Sequence, residues 1–485
     1  MSGSPWTAGH LPGLRDEELA WQALSFGALE VRVPLASPQQ LRAVGRHVRA
    51  VAAQHLRPLP VSRIVEIVDA AVARLLDRGD PFRREAERLL PAVTGFDAEM
   101  VRLGLDASLQ AFRAPQLHRF VAEDFANPKV LDEFQPAAKG GAVRAFGPGL
   151  LLHSWAGNVP ALPLWSLVCG LLVKSGTLGK LPSAEPVFAT LCARLLAEIH
   201  PPLAGCIAIA WWPGGDGARA EAAIAEADTV LAYGGNETIA ELRARVPAGK
   251  RFLGYGHKLG FGLVARTALD AQRAPATARL AAHDIVRYEQ QGCYSPHQFF
   301  VERGGRVDPR VFAQYLAAEL ANLQQRFPRR AASLEEGAAM AGWRQARELQ
   351  ALADEGFALF GDEHAAWSVV YADAPQPLAP TAGGRSILVC AVDALDEVPA
   401  LVAPHAQFLQ TAGIAAEPRE LYRLAESLGA VGVTRIAALG AMTAPEAGWH
   451  HDGRFNLLDL VRMVEIESSA ERAADALAPY AQEWR

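Results

Sequence analysis

Residues 149–183 read GLLLHSWAGNVPALPLWSLVCGLLVKSGTLGKLPS. GLLLHSW is a short apolar run of strand length. PALPLWSLVCGLLV is long enough for a buried helix, and TLGKLP returns to strand texture. Strand, helix and strand in succession imply a βαβ unit in a parallel sheet. From Ala145 to Lys174 the sequence carries no formal charge before the lysine, a length that raises the question of a membrane span. A spanning helix needs about 20 apolar residues with internally satisfied backbone bonds. Gly147, Pro148, Gly149, Gly157, Pro160, Pro163 and Gly170 punctuate this stretch and exclude one.

The alternation continues outward. EPVFATLCARLLAEI, CIAIAWW, GARAEAAIAEA, TVLAYGG, ETIAELRARV and RFLGYG extend it to about residue 265. The expectation is an α/β fold with a doubly wound parallel sheet. Ligands in such sheets bind outside the carboxyl ends of the strands. That singles out the turns at Asn158, Pro182 and Gly234–Asn236, each following a run of strand character.

Residues 1–135 read as a mainly helical region. Ile64, Val65, Val68, Val72, Leu75 and Leu76 recur at helical spacing after Ser62, an expected N-cap, and before Gly79, an expected stop. A second α/β pattern runs through 273–440, with QFFVE, VFAQYLAAELANLQQRF, WSVVYA, SILVCAV and TRIAALG. Residues 441–485 hold the polar loop GWHHDGRFN (448–456) and then LLDLVRMVEIE.

Composition narrows the classes of function. At 485 residues and 52.0 kDa, the chain has room for two or three domains. It carries 47 basic and 53 acidic side chains, a net charge of −6, which argues against a nucleic-acid partner. Five cysteines with no C-x-x-C pair argue against both a disulfide scaffold and a thiolate metal site, so no metal is expected. The N-terminus, MSGSPWTAGHLPGLRDEE, lacks the basic and apolar segments of a secretory signal. A cytoplasmic protein is expected.

Two residues stand out chemically. Cys169, Cys192, Cys206 and Cys390 lie in apolar runs, where cysteine behaves as a small hydrophobe, whereas Cys293 lies in the polar EQQGCYSPHQFF. It is either a packing residue or a nucleophile. Asn158, in SWAGNVPALP, is either a helix N-cap or an amide donor to an oxyanion. Gly147-Pro-Gly149 imitates a dinucleotide-binding loop but leads into a strand and lacks the third glycine.

In combination, GNVPALPLWSLVCGLLVKSGTLGKLPSAEP, AYGGNETI, GYGHKLG and QQGCYSP resemble, in order and spacing, segments of the aldehyde dehydrogenase superfamily. Asn158 and Cys293 stand 135 positions apart, close to the interval there. AGNVPALPL, QQGCYSPH and HDGRFNLLDLVRMVEIE are closer still to the LuxC-like acyl-CoA reductases, the fatty acid reductases of bacterial bioluminescence. The resemblance covers about residues 140–470.

It implies an aldehyde-dehydrogenase-like fold. The cofactor domain would span 136–272 and the catalytic domain 273–440, with 1–135 packed on the cofactor domain. Residues 441–485 would return to the cleft or to an oligomer interface. It makes Cys293 the nucleophile and Asn158 the oxyanion donor. Lys180, Pro182, Ser183, Gly234, Gly235 and Gly254 fall on cofactor-binding segments. His451, Asp452 and Asn456 are expected to close over the thioester or the nicotinamide.

Hydrolytic aldehyde dehydrogenases carry a water-activating glutamate at the position aligned with Gly254, and RFLGYGHKLGFG has no carboxylate. The superfamily's Glu-x-Phe motif is also missing, with GRSILVCAV in its approximate place. The resemblance therefore implies reduction of an acyl thioester to the aldehyde by NADPH, with NADH as the alternative cofactor. The donor would be acyl-CoA or an acyl-carrier protein, with an acyl-activating synthetase as partner and a homo-oligomer as the assembly. Oxidation of an aldehyde to the acid, a non-catalytic acyl-binding subunit and a Cys–His thiol hydrolase using His257 or His297 are the rival readings.

Overall fold

The computed structural model describes residues 5–481. Five parallel strands form one sheet in the order Arg251–Tyr255, Thr229–Tyr233, Leu150–Ser154, Gly176–Lys180, Ile207–Ala210. Every residue of the central strands Leu150–Ser154 and Thr229–Tyr233 is buried. That is why they read as continuous apolar runs: both faces of a parallel sheet are covered by helices. The chain leaves Leu150–Ser154 toward one edge and later returns to its other side at Thr229–Tyr233. The order therefore reverses between these two strands, and the turns carrying Asn158 and Gly234 flank the resulting crevice.

A second sheet of seven strands runs in the order Phe357–Phe360, Ser368–Ala372, Ser386–Val392, Pro296–Glu302, Leu259–Val264, Leu409–Ala415, Arg435–Ala438. All neighbours are parallel except the first pair. Leu259–Val264 pairs with Pro296–Glu302 and Leu409–Ala415, so the chain crosses into this sheet at residues 256–258. The expected boundary at 272 is corrected accordingly. GYGHKLG reads as one glycine-rich strand but is divided between two sheets.

Ala142–Phe146 also leaves the cofactor region, pairing antiparallel with Arg462–Ile466 and with Gln135–Pro136. The N-terminal region adds a hairpin, Ala20–Phe26 with Leu29–Leu35, to its five helices. The helix Val61–Leu76 begins at Pro60, so Ser62 lies in its first turn and caps nothing. The expected packing face does form, with Ile64, Val65, Val68, Val72 and Leu75 buried. The long uncharged stretch resolves into strand, turn and the eleven-residue helix Leu162–Leu172. Among the described residues no helix is long and apolar enough to cross a membrane.

Candidate active site

Cys293 lies on the loop between the helix Arg273–Val286 and the strand Pro296–Glu302. The three residues Tyr288, Glu289 and Gln290 enter this loop with φ of 51°, 52° and 62°. Left-handed backbone at non-glycine residues costs about 1–3 kcal/mol each and persists only where the surroundings enforce it. Here they do. Gln290 Nε2 donates to the carbonyls of Pro296 (2.8 Å) and Ser386 (3.0 Å), and its Oε1 accepts from Ser386 N (3.0 Å). Glu289 accepts from Arg330 N (3.0 Å) and from the fully buried Arg385 (3.2 Å). Tyr288 lies against Gly104, where a Cβ would stand 2.2 Å from the phenol oxygen.

Of the five cysteines only Cys293 is partly exposed. Its Sγ accepts from Gln410 Nε2 at 3.4 Å. Burial pushes the thiol up to about 11, opposed by this hydrogen bond. His257 and His297 pair edge to face at 6.4 Å. Among the described residues neither hydrogen-bonds Sγ; His297 Nδ1 is engaged with Thr381 Oγ1 at 3.0 Å.

Asn158 Nδ2 donates to the carbonyl of Gln291 at 2.7 Å, two residues before the nucleophile. The helix that follows starts after Ala161 (φ 69°) and has no side-chain cap, so Asn158 does not serve as its N-cap. An amide nitrogen carries two hydrogens, and one remains beyond the Gln291 bond. Asn158 Oδ1 is buried and has no hydrogen-bond partner.

Gly235 precedes the helix Asn236–Arg245 as an N-cap without a side chain, leaving the helix's first N–H groups uncapped. A Cβ at Gly235 would meet nothing within 4 Å. A helix N-terminus with clear space before it suits a phosphate group. Lys180 ends its strand with Nζ 5.7 Å from the Trp212 ring centre, and desolvation lowers its pKa. Ser183 Oγ accepts from Trp211 Nε1 at 3.1 Å, while Pro182 packs beneath Gly157. These three residues do not line the cavity at Cys293. Uncapped amides near the reversal and a lysine at the carboxyl end of its strand fit the phosphates and ribose of a dinucleotide.

Gly254 is placed differently from the expectation. A Cβ there would point at Ile239 and Phe252, 2.8 Å from each, and the residue does not line the cleft. The cleft wall is supplied instead by Tyr255, Gly256, His257 and Lys258. Strand alternation sends position 254 into the helix layer.

The C-terminal loop does reach the site. His451 stacks on Tyr255 (4.4 Å), lies tilted against Trp449 (4.8 Å) and is buried, which lowers its pKa to about 4. Asp452 takes the left-handed conformation (φ 53°) and accepts from Gln410 Nε2 at 2.5 Å. Asn456 lies outside the cleft. It accepts from Trp165 Nε1 (3.2 Å) and donates to the Trp449 carbonyl (2.8 Å), tying the loop to the helix Leu162–Leu172.

Cys293 lines two cavities. One is lined by the Gly234–Gly235 turn, Asn158, Lys258 and Asp452. The other is mostly apolar, with Gly104, Ala107, Phe112, Leu162, Trp165 and Trp449 in its wall. Sequence reading missed that wall because Gly104–Phe112 belong to the N-terminal region, where only packing was expected. It missed Gln410 as well, since a single glutamine in LQTAGIA carries no pattern.

Residues 56–463 match the family described as acyl-CoA reductase (LuxC). The long-chain acyl-protein thioester reductase of Vibrio harveyi is 24% identical over 424 residues, covering 85% of this chain and 84% of that one. The protein of the same description from Photorhabdus laumondii is 24% identical over 473 residues, covering 96% and 93%. Among solved structures, the aldehyde dehydrogenase KauB from Pseudomonas aeruginosa superposes with a TM-score of 0.73 over 96% of each chain at 14% identity. The NADP-dependent glyceraldehyde-3-phosphate dehydrogenase from Bacillus halodurans C-125, complexed with NADP, gives 0.71 at 12% identity, covering 96% and 100%. The fold is that of the aldehyde dehydrogenases.

Proposed function

The chain belongs to the acyl-CoA reductase (LuxC) family, and from that premise we propose that it reduces an acyl thioester to the aldehyde through an acyl-enzyme on Cys293, with NADPH as reductant. The observation that carries this reading is that Cys293 lines both an apolar cavity and a second one that holds Asn158, Lys258, Gln410 and Asp452. The first suits a fatty acyl chain, as in the relatives' long-chain substrates. The second opens toward the glycine turn and its uncapped helix.

The Cys293 thiolate attacks the thioester carbonyl, and the oxyanion is held by the free N–H of Asn158 and the backbone N–H of Cys293. The new S–C bond forms as the donor's C–S bond breaks, and the departing thiolate takes up a proton. NADPH, when bound, supplies a hydride to the acyl carbon. The resulting thiohemiacetal collapses by breaking its C–S bond, which returns the electron pair to Sγ and frees the aldehyde. A thiolate serves both as nucleophile and as leaving group.

Oxidation of an aldehyde to the acid would need a base for water. The strand Arg251–Tyr255 offers no carboxylate, and Asp452 already accepts from Gln410 with Lys258 Nζ 3.9 Å from its other oxygen. The same reading takes an acyl-carrier protein or CoA as donor, an acyl-activating synthetase as supplier and a homo-oligomer in the cytoplasm as the working form. A panel of acyl thioesters with NADPH and with NADH, followed at the nicotinamide absorbance, tests it. Thioester-dependent oxidation of NADPH is expected. Acid formation from aldehyde and NADP+, without thioester reduction, would overturn the proposal.

A further inference from the structure

Gln410 is a fully buried polar residue in the otherwise apolar strand Leu409–Ala415, beside Thr411. A buried amide needs partners, or its desolvation goes uncompensated. Its nitrogen has two: Asp452 Oδ1 at 2.5 Å and Cys293 Sγ at 3.4 Å. Its oxygen accepts from Thr411 Oγ1 at 3.3 Å. A carboxylate accepts and does not donate, so Asp452 decides which end of the amide faces the cleft. With one N–H given to Asp452, the second is aimed at sulfur.

We propose that Gln410 is a further catalytic residue of the reductase, its N–H stabilising the Cys293 thiolate before attack and again as the thiohemiacetal expels sulfur, with Asp452 as the positioning residue that orients it. The inference rests on the covalent role of Cys293 given above. Other groups face the sulfur without replacing this donor. Arg435, on the edge strand, and Lys258, on the cleft wall, bring positive charge, and Asp452 brings negative charge. His451 and His297 are both held neutral by burial, and desolvation keeps Tyr233, Tyr288 and Tyr294 protonated. Among the described residues, Gln410 is the side chain that hydrogen-bonds Sγ.

The test is the pH profile of Cys293 alkylation by iodoacetamide, read from the mass of the Cys293 peptide, which requires neither thioester nor cofactor. Gln410→Met keeps the length of the side chain and removes the N–H. It should raise the midpoint by about one pH unit, a tenfold slower alkylation at any pH below it. Asp452→Asn and Asp452→Leu both remove a charge that opposes the thiolate, but only the first keeps an acceptor for Gln410, so the midpoint of Asp452→Leu should lie above that of Asp452→Asn. A purely structural Gln410 would leave its own midpoint unmoved, and a purely structural Asp452 would give its two variants the same midpoint. Gln410→Asn, too short to reach sulfur, replaces Gln410→Met if that variant does not fold and should shift in the same direction. A folded Gln410 variant with an unchanged or lowered midpoint overturns the catalytic role, and an Asp452→Leu midpoint no higher than that of Asp452→Asn overturns the positioning role. Aldehyde formation surviving in Cys293→Ser would instead remove the covalent mechanism, a result these midpoints do not determine.

Discussion

The nucleophile loop (287–295) and the C-terminal loop (448–456) approach the same sulfur and are held by different forces. The first is pinned by hydrogen bonds and buried charge: Gln290 bridges two strands, and Glu289 meets Arg385 and Arg330. The second combines ring packing, with His451 stacked on Tyr255 and beside Trp449, with hydrogen bonds from Gln410 to Asp452 and from Trp165 to Asn456. Directional bonds can hold a strained backbone in one conformation, whereas stacked rings tolerate sliding. The nucleophile loop thus rests on charge and directional bonds, and the loop that completes its surroundings rests in part on stacked rings.

Breaking the first loop at its chemical centre gives the largest effect. Cys293→Ser should abolish aldehyde formation while NADPH binding, followed by nicotinamide fluorescence, persists, because a hydroxyl without an adjacent base is a far weaker nucleophile. Asn158→Ala should lower turnover by about 10²–10³, the usual loss for one oxyanion donor. It has no capping bond to lose, and loss of its bond to the Gln291 carbonyl should cost about 1 kcal/mol of stability, seen as a small drop in melting temperature. A Cβ at Gly104 collides with Tyr288, so Gly104→Ala should cost about 1–3 kcal/mol in denaturant unfolding and lower turnover by displacing the nucleophile loop.

The C-terminal loop gives a smaller, pH-dependent signature. His451 ionises at about 4 in the folded protein against an ordinary 6.5. The unfolded chain therefore binds the proton more readily, and this contribution to stability is present above pH 6.5 and lost as pH falls toward 4. His451→Phe should flatten part of the drop in melting temperature between pH 7 and pH 5. His153 and His297, buried in the same sense, should retain the remainder.

Much of the fold was legible because parallel strands buried on both faces announce themselves as apolar runs ending in turns. Asn158 and Gly234 fell at the crevice for that reason. The boundary near 258 was hidden, because GYGHKLG carries strand character straight across the crossing between sheets. Asp452 and His451 stood out as polar residues in a glycine-marked loop, but their partners did not. Gln410, Tyr255 and Trp165 are ordinary residues until the fold gathers them. Gly254 shows the reverse error: alignment set it opposite a catalytic glutamate, and the strand turns it away. Gly254→Glu should therefore yield a destabilised protein and no free acid from the acyl-enzyme, measured by product chromatography.

Cys293, Gln410 and Asp452 leave the ribosome in that order. Asp124, from the first third of the chain, accepts from the N–H of Leu458 at 3.0 Å and so anchors the tail just beyond Asp452. A product terminated before residue 452 keeps Cys293 and Gln410 but lacks the carboxylate that holds the amide and the loop that lines the cleft. The surroundings of the sulfur are completed by nearly the last part of the chain to be made.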